Sequence, residues 1–159
     1  MKLKYLEPFV HGACQVLSRV SADTPAVGAP GLSGGLFQAA CVNIAARVEG
    51  SLCGSVIYSM STRTACKLTT MVLGTEHHVF GRQVGGALSR LGDELSDTTM
   101  QLLSANGIEC SITSPTVFQG MNIEFSSPSP ALAVPIRMAA GQVDIIVAVD
   151  GERLAHKRI

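Results

Sequence analysis

Four charged side chains fall on one short stretch. Arg90, Asp93, Glu94 and Asp97 stand at i, i+3, i+4 and i+7, which on a helix turning ~100° per residue makes a single stripe. No other segment concentrates charge in this way, so any chemistry of the chain is expected here. The competing reading is a solvated face held by Arg90–Glu94 and Arg90–Asp93 pairs, each worth about 0.2–0.5 kcal/mol. Other groups are weaker candidates. Gly81, Gly85 and Gly86 beside Arg82 match neither the dinucleotide fingerprint nor the phosphate-loop spacing, and no strand precedes them, so they read as helix entry and close packing. His77-His78 reads as a solvated pair. The five cysteines (Cys14, Cys41, Cys53, Cys66 and Cys110) include no CxxC pair and read as buried free thiols in a reducing cytosol. No histidine stands at ligand spacing from them, so no metal is expected. No Ser/His/Asp or Cys/His arrangement can be assembled.

The element that must present the stripe is an amphipathic helix over 84–103. Val84, Leu88, Leu91, Leu95 and Leu102 form its apolar side, roughly opposite the charges. It ends near Asn106-Gly107. Upstream, a helix is expected from about Glu7 to Val20, with Pro8 in its first turn and His11 and Gln15 exposed. Residues 21–35 are broken by Pro, Gly and Ser and read as a mobile loop or an extended crossing segment. Alternation predicts a hairpin of Phe37–Val48 and Leu52–Met60 turning at Glu49-Gly50, with Gly54 marking a bulge or close backbone approach. A helix follows, capped by Ser61 or Thr62, with Ala65, Leu68, Thr69 and Val72 apolar and Gly74 ending it. Residues 108–149 read as β: 108–113, short pieces at 117–118 and 121–125, then a hairpin of 132–138 and 143–149. Pro135 marks its strand as an edge strand or a bulge. The order α-ββ-α-α-β-ββ gives an α+β fold, an antiparallel sheet with helices packed on one face.

The 159 residues suit one domain, with 21–35 as its long loop and 151–159 as a frayed tail. Only 15% of residues are charged while 47% are hydrophobic, which points to a surface covered by a second copy of the chain. Formal net charge is zero and the basic residues are scattered, apart from Arg153, His156, Lys157 and Arg158 in the tail, which argues against nucleic acid. No run of ~18 apolar residues exists to span a membrane, and the N-terminus lacks the apolar core of a signal peptide.

Several segments together resemble the CheX/CheC/FliY family of chemotaxis phosphatases, the CheX-like members above all. The matching pieces are KYLEPFVHGACQVLSRV, VEGSLCGSVIYSMSTRTACKLTTMVLG, GGALSRLGDEL, GIECSITSPTVFQG and ALAVPIRMAAGQVDIIVAV, in the family's order and over most of the chain. The resemblance implies hydrolysis of the aspartyl-phosphate of the response regulator CheY. It implies a helix carrying a Glu, which pairs with the regulator's lysine, and three residues later an Asn, which orients the attacking water. The chain would need no cofactor of its own, because the metal ion belongs to the regulator. It also implies a homodimer formed through the sheets, in the cytoplasm.

This sequence departs from the motif itself. An ungapped match, anchored on LSANG and Ser114-Pro115, puts Arg90 at the Glu position and Asp93 at the Asn position. Sliding by one helical turn gives Glu94 and Asp97 and requires four fewer residues later in the helix. Arg90 would repel a lysine, and an ionised Asp cannot donate a hydrogen bond. Three functions stay open: a phosphatase in which Asp93 or Asp97 places the water; an inactive docking or dimerisation module that binds a response regulator or another signalling protein through the same face; and a small-ligand sensor, for which the long loop 21–35 is the one signal.

Overall fold

Alternating apolar residues at Val42, Ile44, Ala46 and Val48, at Val56, Tyr58 and Met60, and at Val143, Ile145, Val147 and Val149 give three long strands one fully buried face. The computed structural model describes residues 3–33, 36–127 and 130–151. Its elements are α1 (Leu3–Ser21), β1 (Ala26–Val27), β2 (Gly31–Ser33), β3 (Leu36–Gln38), β4 (Val42–Gly50), β5 (Cys53–Met60), α2 (Thr62–Leu73), α3 (Arg82–Ala105), β6 (Cys110–Ile112), β7 (Thr116–Gln119), β8 (Glu124–Ser126), β9 (Ala131–Met138) and β10 (Gly141–Asp150). One antiparallel sheet runs β1-β9-β10-β5-β4-β6, with β2 also on β9 and β7 also on β4. The three helices cover the face just described, burying Phe9, Ala13, Leu17, Leu68, Leu88 and Leu95 against it. The expected α+β fold with helices on one face is what forms.

The opposite face carries a feature the sequence reading did not separate. β3 pairs with β8, and Phe37 and Phe125 pack over Ile57, Ile146 and Ala148. The expected strand Phe37–Val48 is therefore two strands. At residues 39–41 the chain crosses from this small sheet to the main one, tied by the Ala40 N–H to Ser59 Oγ at 2.8 Å and by Asn43 Nδ2 to the Ala40 carbonyl at 2.9 Å. Within the expected loop 21–35, residues 24–33 take the extended alternative, laying β1 and β2 along β9. Pro135 sits in β9, one strand in from the edge. Its carbonyl accepts from Gly28 N at 2.8 Å, so its missing N–H faces the break between β1 and β2, where no ladder bond is lost.

Local signals were otherwise well placed. Ser61 caps α2, its Oγ accepting from Thr64 N at 3.1 Å, and Gly74 closes it at φ 77°. Gly54, at φ 154°, lies so close to β10 that a Cβ would stand 1.9 Å from the Ala148 carbonyl oxygen. Three details differ. α1 begins a turn earlier than expected, with Pro8 inside it, because buried Leu6 anchors the extra turn. Val72 is 41% exposed rather than on the apolar face of α2. Cys41 is exposed, and of the five free cysteines only Cys66 is fully buried. The basic tail residues Arg153, His156, Lys157 and Arg158 lie outside the described residues.

The element order repeats. A helix, two short edge strands, one strand of the small sheet and a long hairpin occur as α1-β1-β2-β3-β4-β5 and again as α3-β6-β7-β8-β9-β10, with α2 between. Each half's edge strands pair with the other half's hairpin. Pro30 and Pro115 each stand immediately before the second edge strand.

Candidate functional site

The α3 helix is held by its apolar side. Val84, Leu88, Leu91 and Leu95 are buried as the periodicity predicts; at the C-terminal end Leu103 takes the buried place and Leu102 is half-buried. Two glycine contacts set its position. At Gly92 a Cβ would lie 2.8 Å from Pro115 Cγ and 2.9 Å from Ile44 Cγ2, so only glycine lets α3 sit this low on the sheet. At Gly12 of α1 a Cβ would lie 2.7 Å from Thr99 Oγ1, so the two helices meet closely there as well. The helix is thus pinned on two sides and its remaining surface faces outward.

That outward surface carries all four predicted residues. Arg90, Asp93, Glu94 and Asp97 are all exposed. None makes a side-chain hydrogen bond or an ion pair within 4.0 Å among the described residues; the ion pairs present there are Arg47–Glu49 and His78–Glu76. The intrahelical pairs Arg90–Glu94 and Arg90–Asp93 are therefore not formed. Exposed pairs of this kind gain too little to hold two long side chains in one geometry, so the charges stay available to an external partner. In the core beneath the helices, burial pushes the Tyr58 phenol far up. Among the described residues no group of three His, Cys, Asp or Glu side chains is arranged to hold a metal.

Arg90 and Glu94 line a groove of about 330 Å³, whose other walls are Arg19 and Val20 at the end of α1 and Met71 and Val72 at the end of α2. Asp93 and Asp97 are not among the residues of that groove. Tertiary structure thus adds Arg19, Met71 and Val72 to the neighbourhood of the stripe. The sequence held one signal for Arg19: it continues the exposed row of His11 and Gln15 at four-residue spacing. Nothing local marked Met71 and Val72, which extend an apolar pattern past the edge of what α1 and α3 cover.

No protein-family model matches this chain. Over 90 residues it is 30% identical to the CheY-P phosphatase CheX of Thermotoga maritima, a match spanning 56% of this chain and 58% of that protein. Its fold is similar to that of the chemotaxis protein CheX from Desulfovibrio desulfuricans, with TM-score 0.83, 20% identity, and 93% of this chain and all of that one covered. It is also similar, at TM-score 0.77 and 25% identity over 93% of this chain and 99% of that one, to a solved structure of the CheX–CheY–BeF3–Mg²⁺ complex from Borrelia burgdorferi.

Proposed function

We propose that the chain is a CheX-like member of the CheX/CheC/FliY chemotaxis family, and that the exposed face of α3 meets a phosphorylated CheY-like response regulator and promotes hydrolysis of its aspartyl-phosphate. The observation that carries this reading is the stripe itself: four charges on one outward helix face, unpaired among the described residues, in a CheX-like fold. A docking face needs its charges uncommitted before the partner arrives.

Of the two residue pairs, Glu94 with Asp97 suits catalysis better. Glu94 keeps a carboxylate where a regulator's lysine would be paired. Asp97, three residues on, is on the same face, and its carboxylate can accept a hydrogen bond from a water and so turn the water's lone pair toward phosphorus. Its negative charge opposes the phosphoryl oxygens, which predicts a slow enzyme unless the regulator's metal ion offsets it. Arg90 with Asp93 suits docking without turnover: a cation at the first position and no hydrogen-bond donor at the second. That second reading, an inactive regulator-binding module, is favoured by the absence of an Asn at either position. We extend the first reading to a homodimer, which the low charge content and the exposed edge residues Val27 and Leu32 support, and to the cytoplasm, which five free cysteines suit.

The test is phosphate release from a phosphorylated CheY-like regulator of the same organism. A catalytic amount of the chain is expected to accelerate it. Binding of the regulator with no acceleration at saturating chain would replace the phosphatase reading by the docking one.

A further inference from the structure

The α3 stripe is not the only set of uncommitted charges. On the outer side of α2, Arg63, Lys67 and Met71 recur at four-residue spacing, and all three are exposed. They line a groove of about 490 Å³ together with His77. Met71 also lines the groove that holds Arg19, Arg90 and Glu94, so the two grooves meet at this side chain. Arg63, Lys67, Arg19 and Arg90, four of the chain's twelve lysines and arginines, make no ion pair among the described residues. Against them stand two acids in the groove linings, Glu76 and Glu94, and Glu76 is already within 3.5 Å of His78. In the middle, Met71 and Val72 expose 40% and 41% of their surface. A neutral chain has therefore gathered unpaired cations along one side of α2, around an aliphatic centre.

We infer that this side of α2, from Arg63 through Met71 to Arg19, is a docking surface for an acidic protein face whose carboxylates flank an aliphatic side chain. It rests on the proposed function in one respect, namely that the acidic face belongs to the CheY-like regulator that reaches α3. Charge complementarity argues for it: unpaired cations at the rim raise the association rate and select against basic partners, while desolvated Met71 and Val72 supply contact area. The surface lies beside the reacting position, so it sets affinity and not the maximal rate.

The experiment titrates the full chain with the regulator, activated with beryllium fluoride and magnesium, at low and at moderate salt. Wild type, the double variant Arg63→Glu/Lys67→Glu, Met71→Asp, and Arg47→Glu as a control away from α2 are compared. Glu at position 63 lies in the first turn of α2, where a negative charge favours the helix, so the double variant keeps its fold, which circular dichroism checks. The double variant is expected to bind at least tenfold more weakly and with a shallower salt dependence, Met71→Asp several-fold more weakly, and Arg47→Glu like wild type. Equal affinities for wild type and double variant would overturn the inference while leaving the regulator reading standing. A wild type that binds no regulator overturns that reading, and this inference with it.

Discussion

Glu94 and Asp97 differ in what their removal should do. Glu94→Ala deletes the carboxylate available to a partner's lysine, and regulator dephosphorylation is expected to fall at least tenfold, as loss of a charge-assisted contact of about 1.5–3 kcal/mol implies. Asp97→Asn removes the charge that opposes the phosphoryl group and supplies a donor, so the maximal rate of phosphate release is expected to rise. If Arg90→Glu with Asp93→Asn raises it instead, the ungapped register is the working one. Asp23 gives a prediction about stability. Its carboxylate accepts from the Ser21 hydroxyl and from Ala139 N–H, the latter at 2.8 Å, and both bonds hold its pKa below the ordinary value. A depressed folded-state pKa stabilises above the unfolded-state pKa and is lost as pH falls through the folded one. Asp23→Ala should therefore melt below wild type near neutral pH, and the gap should close in acid, below the ordinary carboxylate range. A gap unchanged with pH would mean that the contact does not depend on the charge.

At the scale of elements, glycine sets the distances on which the site depends. Gly12→Val would drive a branched side chain against Thr99, with Cβ 2.7 Å from its Oγ1 and 3.4 Å from its Cα. Overpacking of this kind costs about 1–3 kcal/mol, and it should also move α1, with Arg19, relative to the α3 stripe. Urea unfolding is expected to show the loss of stability, and regulator titration a loss of affinity beyond that of Arg19→Ala alone. Ser61→Ala makes the contrasting prediction. It removes the cap of α2 and should cost ~1 kcal/mol of stability by the same unfolding measurement, with little effect on phosphate release, because the stripe is carried by another helix.

For the whole molecule, the exchange of edge strands between the two halves has a consequence. β1 and β2 stabilise β9, and β6 and β7 stabilise β4, so neither half closes its own sheet. Unfolding is expected to be a single cooperative transition, with circular dichroism and tyrosine fluorescence coinciding. The homodimer expected of the chain is measured by sedimentation equilibrium. Leu32→Lys, on the exposed edge strand β2, should shift it toward monomer while α3-dependent regulator binding persists.

How much of this was legible in the sequence depended on the range of the forces involved. The α3 helix, its buried side and its charged stripe were readable because periodicity is local: residues three and four apart share a face whatever the rest of the chain does. The same holds for the Ser61 cap, the Gly74 stop and the close approach at Gly54. Segment order and the resemblance carried by GGALSRLGDEL and its neighbours pointed to the CheX-like fold. The break at residues 39–41 was not legible, because Phe37 and Val42, five residues apart, fall on opposite faces of one continuous strand as well, so their packing on different faces gives no local sign of a second strand. Nor was the strand character of 26–27 and 31–33, which exists only because β9 offers an edge opposite Pro135. Whether the stripe paired with itself, and which charges from α1 and α2 stand beside it, depended on contacts between residues as far apart as Arg19 and Arg90. Sequence by itself determined which helix face carries charge; only packing, which brings distant segments into one groove, decided that those charges are free and what surrounds them.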